Sequence, residues 1–127
     1  MRKLTLDDVT LTVFVEPCDE PVRGNFMVTD DPEQDKRDED AILERLYENH
    51  DTTAWCDVVV EAKYKCLTAQ AGMGCLSYAE AQAEHFDVDS RGRLVMHKTI
   101  WDFDELIDET LADLNAQIAD LVADLED

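Results

Sequence analysis

Ile107, Leu111, Leu114, Ile118, Leu121 and Leu125 are spaced 4, 3, 4, 3 and 4 residues apart, the repeat that lines one side of an α-helix. At about 100° per residue they fall within a sector of roughly 80°, which Phe103 and Val122 widen. A helix filling Trp101 to about Leu125 must bury this stripe, so the rest of the chain has to offer an apolar face. Two placements are open. The stripe covers a sheet of the same chain, or Leu111, Leu114, Ile118, Leu121 and Leu125 form the seam of a homodimer.

The other strong periodicities are those of strands. Val9, Leu11, Val13 and Val15 alternate with polar residues and Phe14, predicting a half-buried strand that extends back towards Leu4. From Trp55 to Cys66 the even positions are apolar while Asp57, Glu61, Lys63 and Lys65 point the other way. A return strand over Leu67–Leu76 follows, with Gly72 and Gly74 loosening its register. Phe86–Val88 and Leu94–Met96 flank the turn signal Asp89-Ser-Arg-Gly92. Asp31-Pro32 opens a helix running to about Asn49, and Ser77 with Glu80 has the spacing of a capping box for a short helix to about His85. The expected fold class is α+β: a small antiparallel β-sheet of 3–5 strands packed against two main helices. Its order is β-α-β-β-(short α)-β-β-α, in one domain over residues 1–127.

Charge narrows the function. With 31 Asp or Glu against 11 Lys or Arg, the formal net charge is −20. That argues against direct binding of nucleic acid or of an anionic membrane. Hydrophobic residues at 45% still suffice for a core, which separates the chain from disordered acidic tails. No apolar run is long enough to span a bilayer, and the start lacks the apolar core of a secretion signal, so a cytoplasmic setting is expected.

The charge is unevenly placed. Ten acids lie between Asp102 and Asp127, and no Lys or Arg follows Lys98. Asp102, Glu109, Asp113, Asp120, Asp124 and Asp127 share a sector of roughly 60° opposite the leucines. At about 1.5 Å per residue the segment carries one charge per roughly 4 Å, close to the ~3.4 Å of a DNA strand. A face that serves only solvation usually mixes signs, because oppositely charged i, i+4 pairs stabilise a helix by about 0.2–0.5 kcal/mol each. A second cluster, with Asp30, Asp31, Asp35 and Asp38 among seven acids in eleven residues, is interrupted by Lys36 and Arg37. Charge mimicry, adaptation to salt and plain solubility all remain open as reasons for the acidity.

Sites of chemistry do not emerge. Asp87-Val-Asp89-Ser-Arg91-Gly92 starts like a calcium loop, but Arg91 and Lys98 stand where oxygen ligands are needed. Cys18, Cys56, Cys66 and Cys75 contain no C-x-x-C pair and read as reduced, mostly buried thiols; Cys56, Cys66 and Cys75 with His85 match no common zinc spacing. His50, His85 and His97 lie in unrelated contexts, Ser77 and Cys75 have no visible base, and Gly72-Met-Gly74 lacks the Lys of a phosphate loop. No catalytic residue, metal site or cofactor is assigned, and no enzymatic activity is expected.

Pro21-Val-Arg-Gly-Asn25, Asp30-Asp31 with Asp35-Lys36, Glu39-Asp40-Ala-Ile42, Arg45-Leu46 and Thr53-Ala-Trp55 before a valine-rich strand form an ordered series. In that order they resemble a family of small, acidic, uncharacterised proteins of bacteriophages and mobile elements. Cys75-Leu-Ser77-Tyr78 and Asp113-Leu114-Asn115 continue the series, so the resemblance covers roughly residues 16–80 and 105–120, while Glu80 to Lys98 departs from it. The family brings no activity with it. The resemblance implies a phage or plasmid setting, in which small acidic inhibitors of host defence are common. Together with the charge, it gives the expectation of an anti-CRISPR or anti-restriction protein. Such a protein would act in the host cytoplasm as an acidic nucleic-acid mimic on a basic DNA- or RNA-binding complex. The alternative is a dimeric adaptor built on the leucine seam.

Overall fold

The computed structural model describes residues 3–26 and 29–126. The chain runs β1 (Thr10–Pro17), α1 (Pro32–Tyr47), β2 (Cys56–Tyr64), β3 (Leu67–Leu76), β4 (Phe86–Val88), β5 (Leu94–Met96) and α2 (Asp104–Glu126). Short 3-10 turns occupy Leu6–Asp8, Thr52–Ala54, Glu80–His85 and Lys98–Ile100. The strands form one antiparallel sheet in the order β3-β2-β1-β5-β4. This is the α+β arrangement that the alternating segments predict.

Alternation places the core. Val13 pairs with Val60, Val15 with Val58 and Leu11 with Ala62, so the odd positions of β1 and the even positions of β2 face one side. Val13, Cys56, Val58, Val60 and Ala62 have no exposed surface there. Phe86, Met96, Phe103 and Ile107 close this core at one end, and Leu4, Ala69, Leu114 and Ile118 extend it at the other. Ala62 and Ala69 are small where Leu114 and Ile118 are large, which lets α2 lie close to the sheet. Thr110, fully buried in α2, donates its hydroxyl to Leu106 O at 2.6 Å, so no polar group is stranded.

The first main helix packs elsewhere, at the end of the sheet. Val22, Ile42, Ala54 and Trp55 form a separate cluster, and the Trp55 indole donates to Glu20 O at 2.7 Å. Asp31 caps α1 by accepting from the backbone of Glu33 and Gln34, both at 3.2 Å.

Four boundaries differ from the sequence expectation, each for a local reason. The first strand does not reach Leu4, because Asp8 accepts from the Thr5 backbone at 2.8 Å and closes a 3-10 turn. The return from β2 begins at Lys65, which adopts φ +53°. The short helix starts three residues after Ser77: Tyr78 N–H is taken by Thr53 O at 2.8 Å, and Gln82 accepts from Ala79 N instead. The last helix begins at Asp104 rather than Trp101, because Trp101 ends the Lys98–Ile100 turn in an extended conformation, so Asp102 precedes the helix.

Candidate partner-binding surface

The helix α2 presents opposite sides to the sheet and to solvent. Ile107, Leu114 and Ile118 are buried and Leu111 is half-buried. Leu121 is 48% exposed and Leu125 86%. The leucine repeat is therefore split. Its first four residues cover the chain's own sheet, so they do not form a free dimer seam; only the last two stand out.

On the solvent side Glu109, Asp113, Asp120 and Asp124 are all exposed and stay within a sector of about 60°. Spaced at about 1.5 Å per residue, they span some 22 Å of the axis. Asp104, Glu105 and Asp108 add further exposed acids on the first turns. Asp113 accepts from Gln117 Nε2 at 3.4 Å, and that same amide donates to Thr68 O at 2.9 Å on the sheet edge. Asp102 is exposed but lies off the helix beside its first turn. Asp127 lies outside the described residues.

The cluster around α1 has a different character. Asp31 is the helix cap, Asp35 accepts from both Thr29 N and Thr29 Oγ1, and Asp38 accepts from Gln34 Nε2 at 2.8 Å. Glu39 is buried, accepting from Gly24 N at 2.7 Å and from Arg23. Arg23 also pairs with Asp40. Asp30 is exposed. The local folding of the loop and helix thus employs most of these carboxylates.

Sequence reading overlooked the buried acids. Glu61 has the solvent-facing parity of β2 yet is only 6% exposed. Arg93 reaches it at 3.1 Å, Gln70 at 2.8 Å, and the Arg93 guanidinium stands 4.7 Å from the Phe14 ring centre. Burial alone would push the Glu61 carboxyl up, but hydrogen bonds from Gln70 and Arg93 and the Arg93 charge hold it below the usual range. Arg93 also bonds Asp89 at 2.8 Å, and Asp89 accepts from the backbone of Arg91 and Arg93. These bonds hold the Asp89 carboxyl low and close the hairpin turn, which occupies the carboxylate that a calcium loop would need. A signal for this network was available: Arg93 follows the Asp-Ser-Arg-Gly turn and is four residues from Asp89.

Among the described residues no three His, Cys, Asp or Glu side chains gather as metal ligands. Cys66 is exposed at the β2–β3 turn and Cys56 is buried, so the cysteines do not form one set; Cys18 and Cys75 are half-buried. This corrects the expectation of mostly buried thiols. A concavity of about 810 Å³ beside α2 is lined by Leu4, Leu111, Ile118, Val122 and alanines, with Lys3, Asp108 and Asn115 as its polar residues and no His, Cys or Ser. Among the described residues no helix is long and apolar enough to cross a membrane. No protein-family model, curated protein or solved structure matches the chain.

Proposed function

We propose that the protein is an anti-defence inhibitor of a phage or mobile element that mimics the charge of nucleic acid. In this reading the outer face of α2 occupies the basic DNA- or RNA-binding surface of a host complex such as a CRISPR effector or a restriction enzyme. The carrying observation is the exposed row Glu109, Asp113, Asp120 and Asp124 on a helix without Lys or Arg. A row of one sign, fixed on a helix that is itself anchored to a sheet, offers a rigid line of charge. Such a surface associates quickly and weakens steeply with salt.

The test is displacement. Labelled duplex DNA bound by the effector or endonuclease is titrated with the protein, and with a variant carrying Asp113→Asn, Asp120→Asn and Asp124→Asn. The wild-type chain is expected to release the DNA, and the variant to need at least tenfold more protein. Equal potency of the two would remove α2 from the mechanism.

Leu121 and Leu125 favour a second reading, a non-enzymatic dimeric adaptor whose acidity serves solubility or salt adaptation. It requires a dimer in light scattering that Leu121→Ser with Leu125→Ser converts to monomer. Salt adaptation requires in addition that the fold be lost at about 0.1 M salt, where screening is incomplete.

A further inference from the structure

Three of the four thiols lie at the end of the sheet where α1 is moored. Cys18 follows β1, Cys75 closes β3 and Cys56 opens β2. The Sγ atoms of Cys18 and Cys75 are 3.6 Å apart, although the residues are 57 positions apart in sequence. Both are half-buried, and Cys56 has no exposed surface. Cys75 is also held at φ +62°, a conformation that side chains rarely adopt. At the neighbouring Gly74 a β-carbon would come within 2.8 Å of Asp57 Oδ1, so any larger residue there requires the Asp57 carboxylate to move. A backbone strained at this point keeps a thiol where a second glycine would relax it, and that thiol touches another.

From this geometry we infer that Cys18 and Cys75 are a redox modification site, a dithiol that closes to a disulfide with a small disulfide oxidant such as glutathione disulfide. The Cys75 thiolate attacks one sulfur of the oxidant and expels one glutathione thiolate. Cys18 Sγ then attacks the mixed disulfide at Cys75, forming the intramolecular bond and expelling the second. The two thiols lose two electrons and two protons; glutathione disulfide gains them and becomes two molecules of glutathione. Burial pushes the Cys18 thiol up to about 11, which suits it to the second, intramolecular attack rather than the first.

The bond would act on the mooring of α1. The loop after Cys18 supplies Glu20 O to Trp55, Val22 to the pocket around Ile42, and Arg23 and Gly24 to Glu39. Joining Cys18 to the end of β3 ties that loop to the sheet, and through it the helix. The reduced chain holds the loop by packing, hydrogen bonds and the ion pairs of Arg23 with Glu39 and Asp40.

The experiment uses the full chain with Cys66→Ser, which removes the exposed thiol that could join two copies. It is equilibrated with mixtures of glutathione and glutathione disulfide, alkylated, and read by intact mass and peptide mapping. The expected product has lost two hydrogens and two alkylation sites, and yields one cross-linked peptide joining residues 18 and 75. Its melting temperature is expected to rise by about 5–15 °C, as closure of a loop of this length implies. Adding Cys18→Ser or Cys75→Ser should abolish both the cross-link and the thermal shift. The inference is overturned by a bond that includes Cys56, by glutathione retained on the unmutated pair as a mixed disulfide, or by a folded chain that stays reduced while the urea-unfolded chain oxidises.

Discussion

Replacing Asp113, Asp120 and Asp124 with Asn should make the protein more stable, not less. Glu109–Asp113 and Asp120–Asp124 are i, i+4 pairs of like charge on an exposed helix face, each unfavourable by about 0.2–0.5 kcal/mol. Asp124 stands near the helix C-terminus, where no basic residue offsets the dipole, and negative charge there costs about 0.3–1 kcal/mol. Asn has nearly the helix propensity of Asp, and at position 113 its side-chain oxygen can still accept from Gln117. The three substitutions together should therefore stabilise the fold by about 0.7–2 kcal/mol at low ionic strength, or about 2–8 °C in Tm at this chain length. Circular dichroism melts at about 0.02 M and about 1 M salt separate the causes, because a Debye length of about 3 Å at 1 M cancels most of the gain. A Tm that is unchanged or lower at low salt would refute the claim that these acids oppose folding. A gain that persists in about 1 M salt would show that its origin is not electrostatic.

Other perturbations test the framework around that helix. Arg93→Ala strands the buried Glu61 carboxylate and uncovers Phe14, with an expected loss of about 3 kcal/mol in urea denaturation at pH 7. Because the Glu61 carboxyl is held below its ordinary range, the unfolded chain takes up its proton first. The stabilisation from this pair is complete above the ordinary carboxylate pKa and is lost as pH falls through the lower folded value. Glu61→Gln should accordingly flatten the stability profile between about pH 5 and pH 2, read from urea midpoints. Leu114→Ala removes a side chain with no exposed surface and is expected to cost about 3–4 kcal/mol. Leu125→Ala, at 86% exposed, is expected to change stability by less than about 0.5 kcal/mol in the same assay.

Period-two and heptad patterns carried the fold because they report on one variable, the side that faces the core. β3, β4 and β5 begin and end where the alternation and the Asp89–Gly92 turn place them. The patterns could not say where the leucine stripe leaves the sheet, since the buried Leu114 and the exposed Leu121 occupy equivalent positions in the repeat. That limit depends on how far the sheet extends, a tertiary property. The acids divide along the same line. Asp31 was legible as a cap because its contacts are local. Glu39 and Glu61 were not, because their partners Arg23 and Arg93 are 16 and 32 positions away.

Net charge alone cannot distinguish the two acidic clusters, whereas their partners do. Around α1 the carboxylates accept from backbone and from Thr29, Gln34 and Arg23, so folding gains from their presence. Along α2 the exposed acids bring like charges together, so folding gains from their removal. The clusters should therefore respond to neutralisation with opposite signs. Asp31→Ala is expected to lower stability by about 1 kcal/mol through loss of the cap, while Asp120→Asn with Asp124→Asn raises it. Thermal melts of the two variants, made in one buffer at low salt, decide the matter. If both variants lose stability, the α2 acids are structural in the same sense as those of α1, and the charge row loses its claim to be an interface.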